Sequence, residues 1–166
     1  MPPSLKEQDE KNALGAKISI FLIMRIYLDN CCFNRPFDDQ SGLIVFLETK
    51  SKLAIQRMIK DKNLELVWSE ILDFENNENP FEERKFKISE WKLLAVENIE
   101  MNDLIFEKAK ELSALGLRQK DSSHIACAIF GKSDYFVTTD KGILNKKVQG
   151  IELINPVDFI RRIYAN

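Results

Sequence analysis

With 166 residues the chain is about one domain in length, enough to bury roughly two-thirds of the surface its unfolded form exposes, so it needs no staples to fold. It is 45% hydrophobic and 30% charged, with six Gly and five Pro, which excludes the disordered, collagen-like and low-complexity classes. Its 24 Lys and Arg against 26 Asp and Glu give a net charge of −2, which excludes a strongly basic nucleic-acid coat but allows a local basic rim.

Residues 1–23 read as an N-terminal extension. Pro2 and Pro3 are followed by a polar run from Lys6 to Asn12 that has little to bury, so mobility is expected at least over residues 1–17. Met24 is taken as the start of the domain, which then spans residues 24–166. The longest apolar stretch, Ile18 to Leu28, is broken by Arg25 and is too short for a membrane helix. No small-residue cleavage pattern follows it. Cys31, Cys32 and Cys127 make an odd count without CxxC spacing, which fits a reduced thiol inventory and a cytoplasmic protein with no membrane partner.

From Arg25 onward, strand and helix patterns alternate. Ile26-Tyr27-Leu28 reads as a short strand ending at Asp29, and residues 30–41 as a polar loop. Leu43, Phe46, Leu47, Ala54 and Met58 approach helical spacing over residues 42–61. Residues 64–68 read as a second strand, and Ser69 as the N-cap of the helix that follows. Helical segments are expected over 80–96 and 103–115, with Gly116 as a C-cap signal. A further helix is expected from Asp121 to Gly131. Residues 135–138 read as a strand, Asp140 opens a short turn or helix, and residues 151–154 form the last strand. Asn155-Pro156 then supplies an N-cap and first-turn proline. Such alternation predicts an α/β fold: one domain with a parallel sheet covered on both faces, a three-layer sandwich. Sites in such sheets form beyond the carboxyl ends of the strands.

Two strands end in aspartates, Asp29 and Asp140. Asp121 opens the helix before the second of these strands. Glu75 continues the inward face of Ile71 and Leu72, whereas Glu70 is accounted for by the first helical turn, where the helix dipole favours a carboxylate. Asp121 also has the ordinary explanation of a helix N-cap. Carboxylates gathered at one rim repel unless a cation joins them. Mg²⁺ or Mn²⁺ suits an all-oxygen set and can support phosphodiester cleavage.

These residues resemble the motifs of the PIN-domain ribonucleases, in a subgroup like the VapC-type toxins. The stretch from Met24 through Asp29 to Gln40 resembles the first motif. Ser69-Glu-Ile-Leu-Asp-Phe-Glu75 resembles the second, Lys120-Asp121-Ser-Ser-His-Ile-Ala-Cys-Ala128 the third, and Phe136-Val-Thr-Thr-Asp140-Lys-Gly-Ile-Leu144 the last. The resemblance covers residues 24–160. It implies a PIN-like, Rossmann-like parallel sandwich with Asp29, Glu75, Asp121 and Asp140 as catalytic and metal-binding residues for Mg²⁺ or Mn²⁺. It also implies cleavage of single-stranded or structured RNA, a homodimer and a small antitoxin partner. Asn30 stands where many members have Thr or Ser. Gly142 stands where some have a further acid, a role Asn145 would partly fill.

Around this set, Asn30, Thr139, Asn145, Arg35 and Asp39 are candidates for supporting or substrate contacts. Arg35, Arg118, Lys120 and Lys141 form a candidate basic rim. His124, the only histidine, reads as a packed residue, and Cys31 and Cys32 as small buried ones. A haloacid-dehalogenase-like phosphatase needs a second aspartate where Cys31 stands, which argues against it. A non-catalytic PIN-like module that binds RNA or protein is the alternative reading.

Overall fold

A computed structural model describes residues 23–165. The extension expected over residues 1–23 therefore lies, but for its last residue, outside the described residues. The elements run β1 (Met24–Leu28), α1 (Asn30–Asn34), a 3₁₀ turn (Arg35–Phe37), α2 (Leu43–Lys60), β2 (Leu64–Ser69), α3 (Glu70–Asn77) and α4 (Glu82–Ser89). A second 3₁₀ segment (Glu90–Leu94), β3 (Glu97–Ile99), α5 (Asp103–Ser113), α6 (Gln119–Phe130), β4 (Tyr135–Val137), α7 (Lys141–Leu144), β5 (Glu152–Ile154) and α8 (Pro156–Tyr164) follow.

The five strands are all parallel, in the order β3-β2-β1-β4-β5. The expected α/β class and three-layer sandwich are found. Ile26, Tyr27 and Leu28 are fully buried in the central strand, as suits a strand covered on both faces. The chain builds outward from β1 to β3, then crosses back to lay β4 on the other side of β1. That reversal opens a crevice at the carboxyl ends of β1 and β4, where ligands bind in open parallel sheets.

The two faces of the sheet hold different clusters. On one, Tyr27 reaches Ser69 and His124 of α6 and stacks on Phe136. On the other, Phe33 packs against Trp68 and Trp91. Helix α2 packs against α8, and α5 against α6. Gly131 ends α6 so close to β2 that a Cβ there would lie 2.5 Å from Val67 Cγ1, so only glycine fits without a shift.

Three expectations change. Residues 30–41 are not all loop, because Asp29 caps α1 by accepting from Asn30 N–H, and Cys32 and Phe33 bury their side chains. The segment 80–96 is not one helix. It divides into α4 and the 3₁₀ segment, and β3 follows, paired to Val67–Ser69 of β2. Third, α6 starts at Gln119 with Arg118 at the N-cap position, so Asp121 lies inside the first turn and is not the cap. Among the described residues, no helix is long and apolar enough to cross a membrane.

Candidate metal centre

Asp29 follows β1 and is buried at the crevice floor. Its Oδ1 accepts from Asn30 N–H at 2.8 Å, and its Oδ2 accepts from the Thr138 hydroxyl at 2.7 Å and from the Cys31 thiol at 3.3 Å. Burial pushes the Asp29 carboxyl well above the ordinary range, and the neighbouring Cys31 sulfur adds to the rise. Cys31 moves the other way. Hydrogen bonding with Cys32, Thr139 and Thr138 outweighs burial and pulls its thiol down to about 5. The two groups sit close enough to share one proton.

Glu75 lies on the second turn of α3, whose start is fixed by Ser69 accepting from Leu72 N–H. Its carboxylate is 3.1 Å from His124 Nε2 and 3.5 Å from Lys120 Nζ. Burial raises Glu75, but His124 and Lys120 together outweigh it and hold the carboxyl below its usual value. His124 Nε2 and Glu75 Oε2 are in close contact, but their alignment is poor for a hydrogen bond. At the other ring nitrogen, Nδ1 meets the Tyr27 hydroxyl at 2.7 Å, and that hydroxyl meets Ser69 Oγ at 2.5 Å. Burial keeps Tyr27 protonated by raising its phenol.

Ligand atoms of Asp29, Glu75 and His124 all lie within 4.8 Å of one another. Asp121 and Asp140 form a second pair. Arg118 joins them, donating from Nε to Asp121 Oδ2 and from Nη2 to Asp140 Oδ2, each at 2.8 Å. Asp140 also caps α7, accepting from Gly142 N–H at 2.7 Å. Arg118, Asp121, Asp140 and Gly142 line a surface cavity of about 300 Å³. The four acids fall into two groups: Asp29 with Glu75, and Asp121 with Asp140 under a guanidinium.

The supporting candidates sort by contact. Asn30 donates its backbone N–H to Asp29. Thr139 bonds Cys31 Sγ, at 3.3 Å from its hydroxyl and 3.4 Å from its N–H, whereas the direct partner of Asp29 is Thr138. Arg35 pairs with Asp38 and with buried Glu48. Asp39 closes a turn on Ser41. Asn145 stands at the C-cap of α7. His124 and Cys31 are the contacts that sequence reasoning set aside. The i, i+3 spacing of Asp121 and His124 was the one available signal, and it leaves open which way each side chain turns.

No family model matches the chain, and no curated protein matches it. Solved structures do. A chain of the VapBC2 complex from Rickettsia felis bound to a promoter DNA fragment superposes with a TM-score of 0.52 and 17% identity, covering 80% of this chain and 98% of that one. A chain of DNA-bound VapBC from Salmonella typhimurium gives a TM-score of 0.50 and 14% identity, covering 81% and 99%. At such identities the likeness is one of fold. The protein has the PIN-like α/β sandwich found in VapBC structures, the fold its sequence motifs point to.

Proposed function

We propose that the protein is a VapC-like, metal-dependent ribonuclease that works with a small antitoxin partner. The observation that carries this reading is the convergence of Asp29 and Glu75 after parallel strands β1 and β2, with Asp121 and Asp140 as a second acidic pair held by Arg118. The donor set suits a divalent cation. A buried carboxyl pushed upward and an unpartnered ring nitrogen both gain from one. Asp29 and Glu75 would hold the ion, with Asp121 and Asp140 completing the set. Bound there, Mg²⁺ or Mn²⁺ supplies activation of a water and charge stabilisation for phosphodiester hydrolysis.

The chain's own residues prepare that chemistry. Thr138 and Asn30 N–H fix the Asp29 carboxylate from two sides. Lys120 and Arg118, which pair with site acids, would meet the backbone phosphates of RNA. In the overall reaction a water oxygen forms a bond to phosphorus and one P–O ester bond of the RNA breaks. Leu43, Ile44 and Leu47, exposed on α2, support a protein interface where an antitoxin or a second copy would sit.

Purified protein should cleave single-stranded RNA with Mn²⁺ or Mg²⁺ and lose that activity in EDTA. Asp29→Asn and Asp140→Asn should each abolish it while remaining folded. Cleavage that persists unchanged in Asp29→Asn would sink the assignment. One observation favours the non-catalytic alternative: Arg118 already neutralises Asp121 and Asp140. Folded wild-type protein that neither binds Mn²⁺ nor cleaves RNA would decide for it.

A further inference from the structure

We infer that His124 is itself a metal ligand, forming with Asp29 and Glu75 a mixed nitrogen–oxygen site that takes Mn²⁺ in preference to Mg²⁺. The inference rests on the metal-binding reading above and adds to it a ligand that the four-acid pattern lacks.

Four observations lead there. His124 is 1% exposed, and its Nε2 is buried without a hydrogen-bond partner, turned into the cluster of Asp29 and Glu75. A buried polar nitrogen left in that state needs a partner, and a cation supplies one. Next, Nδ1 is fixed by the Tyr27 hydroxyl, itself held by Ser69. With Nδ1–H donating to Tyr27 and Tyr27 donating to Ser69, which also accepts from Leu72 N–H, both the ring N–H and the phenol have acceptors. That arrangement leaves the Nε2 lone pair facing the carboxylates. Metal-binding histidines are oriented in this way, by a hydrogen bond from the ring nitrogen that does not bind the ion.

Third, the opposite tautomer aims a poorly aligned N–H at Glu75, a proton that a bound ion would displace. A lone pair facing a carboxylate oxygen repels it unless a cation lies between them. Last, the 3.1 Å from Nε2 to Glu75 Oε2 is the spacing of two neighbouring ligands on one ion. Adjacent corners of an octahedron with bonds of about 2.1 Å are about 3 Å apart. An imidazole nitrogen favours first-row transition ions, whereas Mg²⁺ prefers oxygen alone.

The test uses the full-length, tag-free chain. Because it holds a single histidine, any imidazole signal on a bound ion comes from His124. Pulsed electron paramagnetic resonance of the Mn²⁺ complex, with natural-abundance and ¹⁵N-histidine protein, should show imidazole nitrogen coupling that changes with the label. Titration should show His124→Gln weakening Mn²⁺ binding by at least about 10-fold and Mg²⁺ binding by less, and Tyr27→Phe weakening Mn²⁺ by roughly 10-fold, the size expected for loss of an outer hydrogen bond. The wild-type spectrum decides the matter even if a variant fails to fold. Mn²⁺ bound without imidazole coupling overturns the inference and leaves the ribonuclease reading standing. Failure of the wild type to bind Mn²⁺ overturns both.

Discussion

Asp29 carries a conflict that only a cation or a proton resolves. Burial lifts its folded pKa above the unfolded value of about 3.9, so its contribution to stability is present below that pH and is lost as pH rises through the folded value. At neutral pH the metal-free protein bears this cost. Asp29→Asn should therefore raise the unfolding midpoint of the metal-free protein at pH 7, have little effect near pH 3.5, and remove most of the Mn²⁺-induced increase. Thermal unfolding at the two pH values, with and without Mn²⁺, checks all three outcomes. Arg118 is a different case. Its side chain is 74% exposed, so its pairs with Asp121 and Asp140 contribute little to stability after solvent screening. They do occupy two carboxylates. Arg118→Ala should change the metal-free midpoint by only a few degrees and enlarge the increment that Mn²⁺ gives. An unchanged increment would mean that the guanidinium and the ion do not compete for those oxygens.

At the scale of elements, how legible a segment is depends on how much of its own energy lies in local sequence. Strands β1, β2 and β4 and the helix over α2 announce themselves through apolar runs and spacing. Strand β3 does not, because two of its three residues, Glu97 and Asn98, are exposed and its pairing comes from β2. Helix α1 is equally silent, since five residues make no periodic pattern and the cap comes from the Asp29 side chain. The positions of the site acids could be read because strand ends and helix starts locate them. Their division into two groups could not, because it depends on where Arg118 and His124 turn, and neither direction is encoded in spacing. Gly131 shows the same limit: it reads as a helix stop, yet its packing against Val67 is a tertiary fact. Gly131→Ala should destabilise the fold by about 1–3 kcal/mol through overpacking. Adding Val67→Ala should recover part of that loss, since it removes the methyl groups in the way, and urea unfolding of the single and double variants measures the recovery.

Across the whole molecule, one layer is built around a lysine. Lys52, on the inner face of α2, is fully buried, its Nζ has no hydrogen-bond partner, and that Nζ lies 4.1 Å from the centre of the Phe33 ring and 5.9 Å from that of Trp91. Those rings join α1, the 3₁₀ segment and, through Trp68, β2, so the cost of this one amine falls on several elements together. Burial lowers its pKa to about 7, against an unfolded value of about 10.4. The unfolded chain binds more protons throughout that interval, so stability rises with pH from about 7 to about 10.4. The cation–π contacts return part of the cost, but burial dominates the shift. Lys52→Met keeps an unbranched side chain, one atom shorter, and removes its charge. It should raise the urea midpoint at pH 7, and the gain should shrink steadily as unfolding is repeated toward pH 10. Aromatic contact with a charged amine, if it dominated instead, would make Lys52→Met destabilising at pH 7 and nearly neutral at pH 10. The slope of the midpoint difference against pH therefore distinguishes a lysine tolerated in this core from one that holds it together.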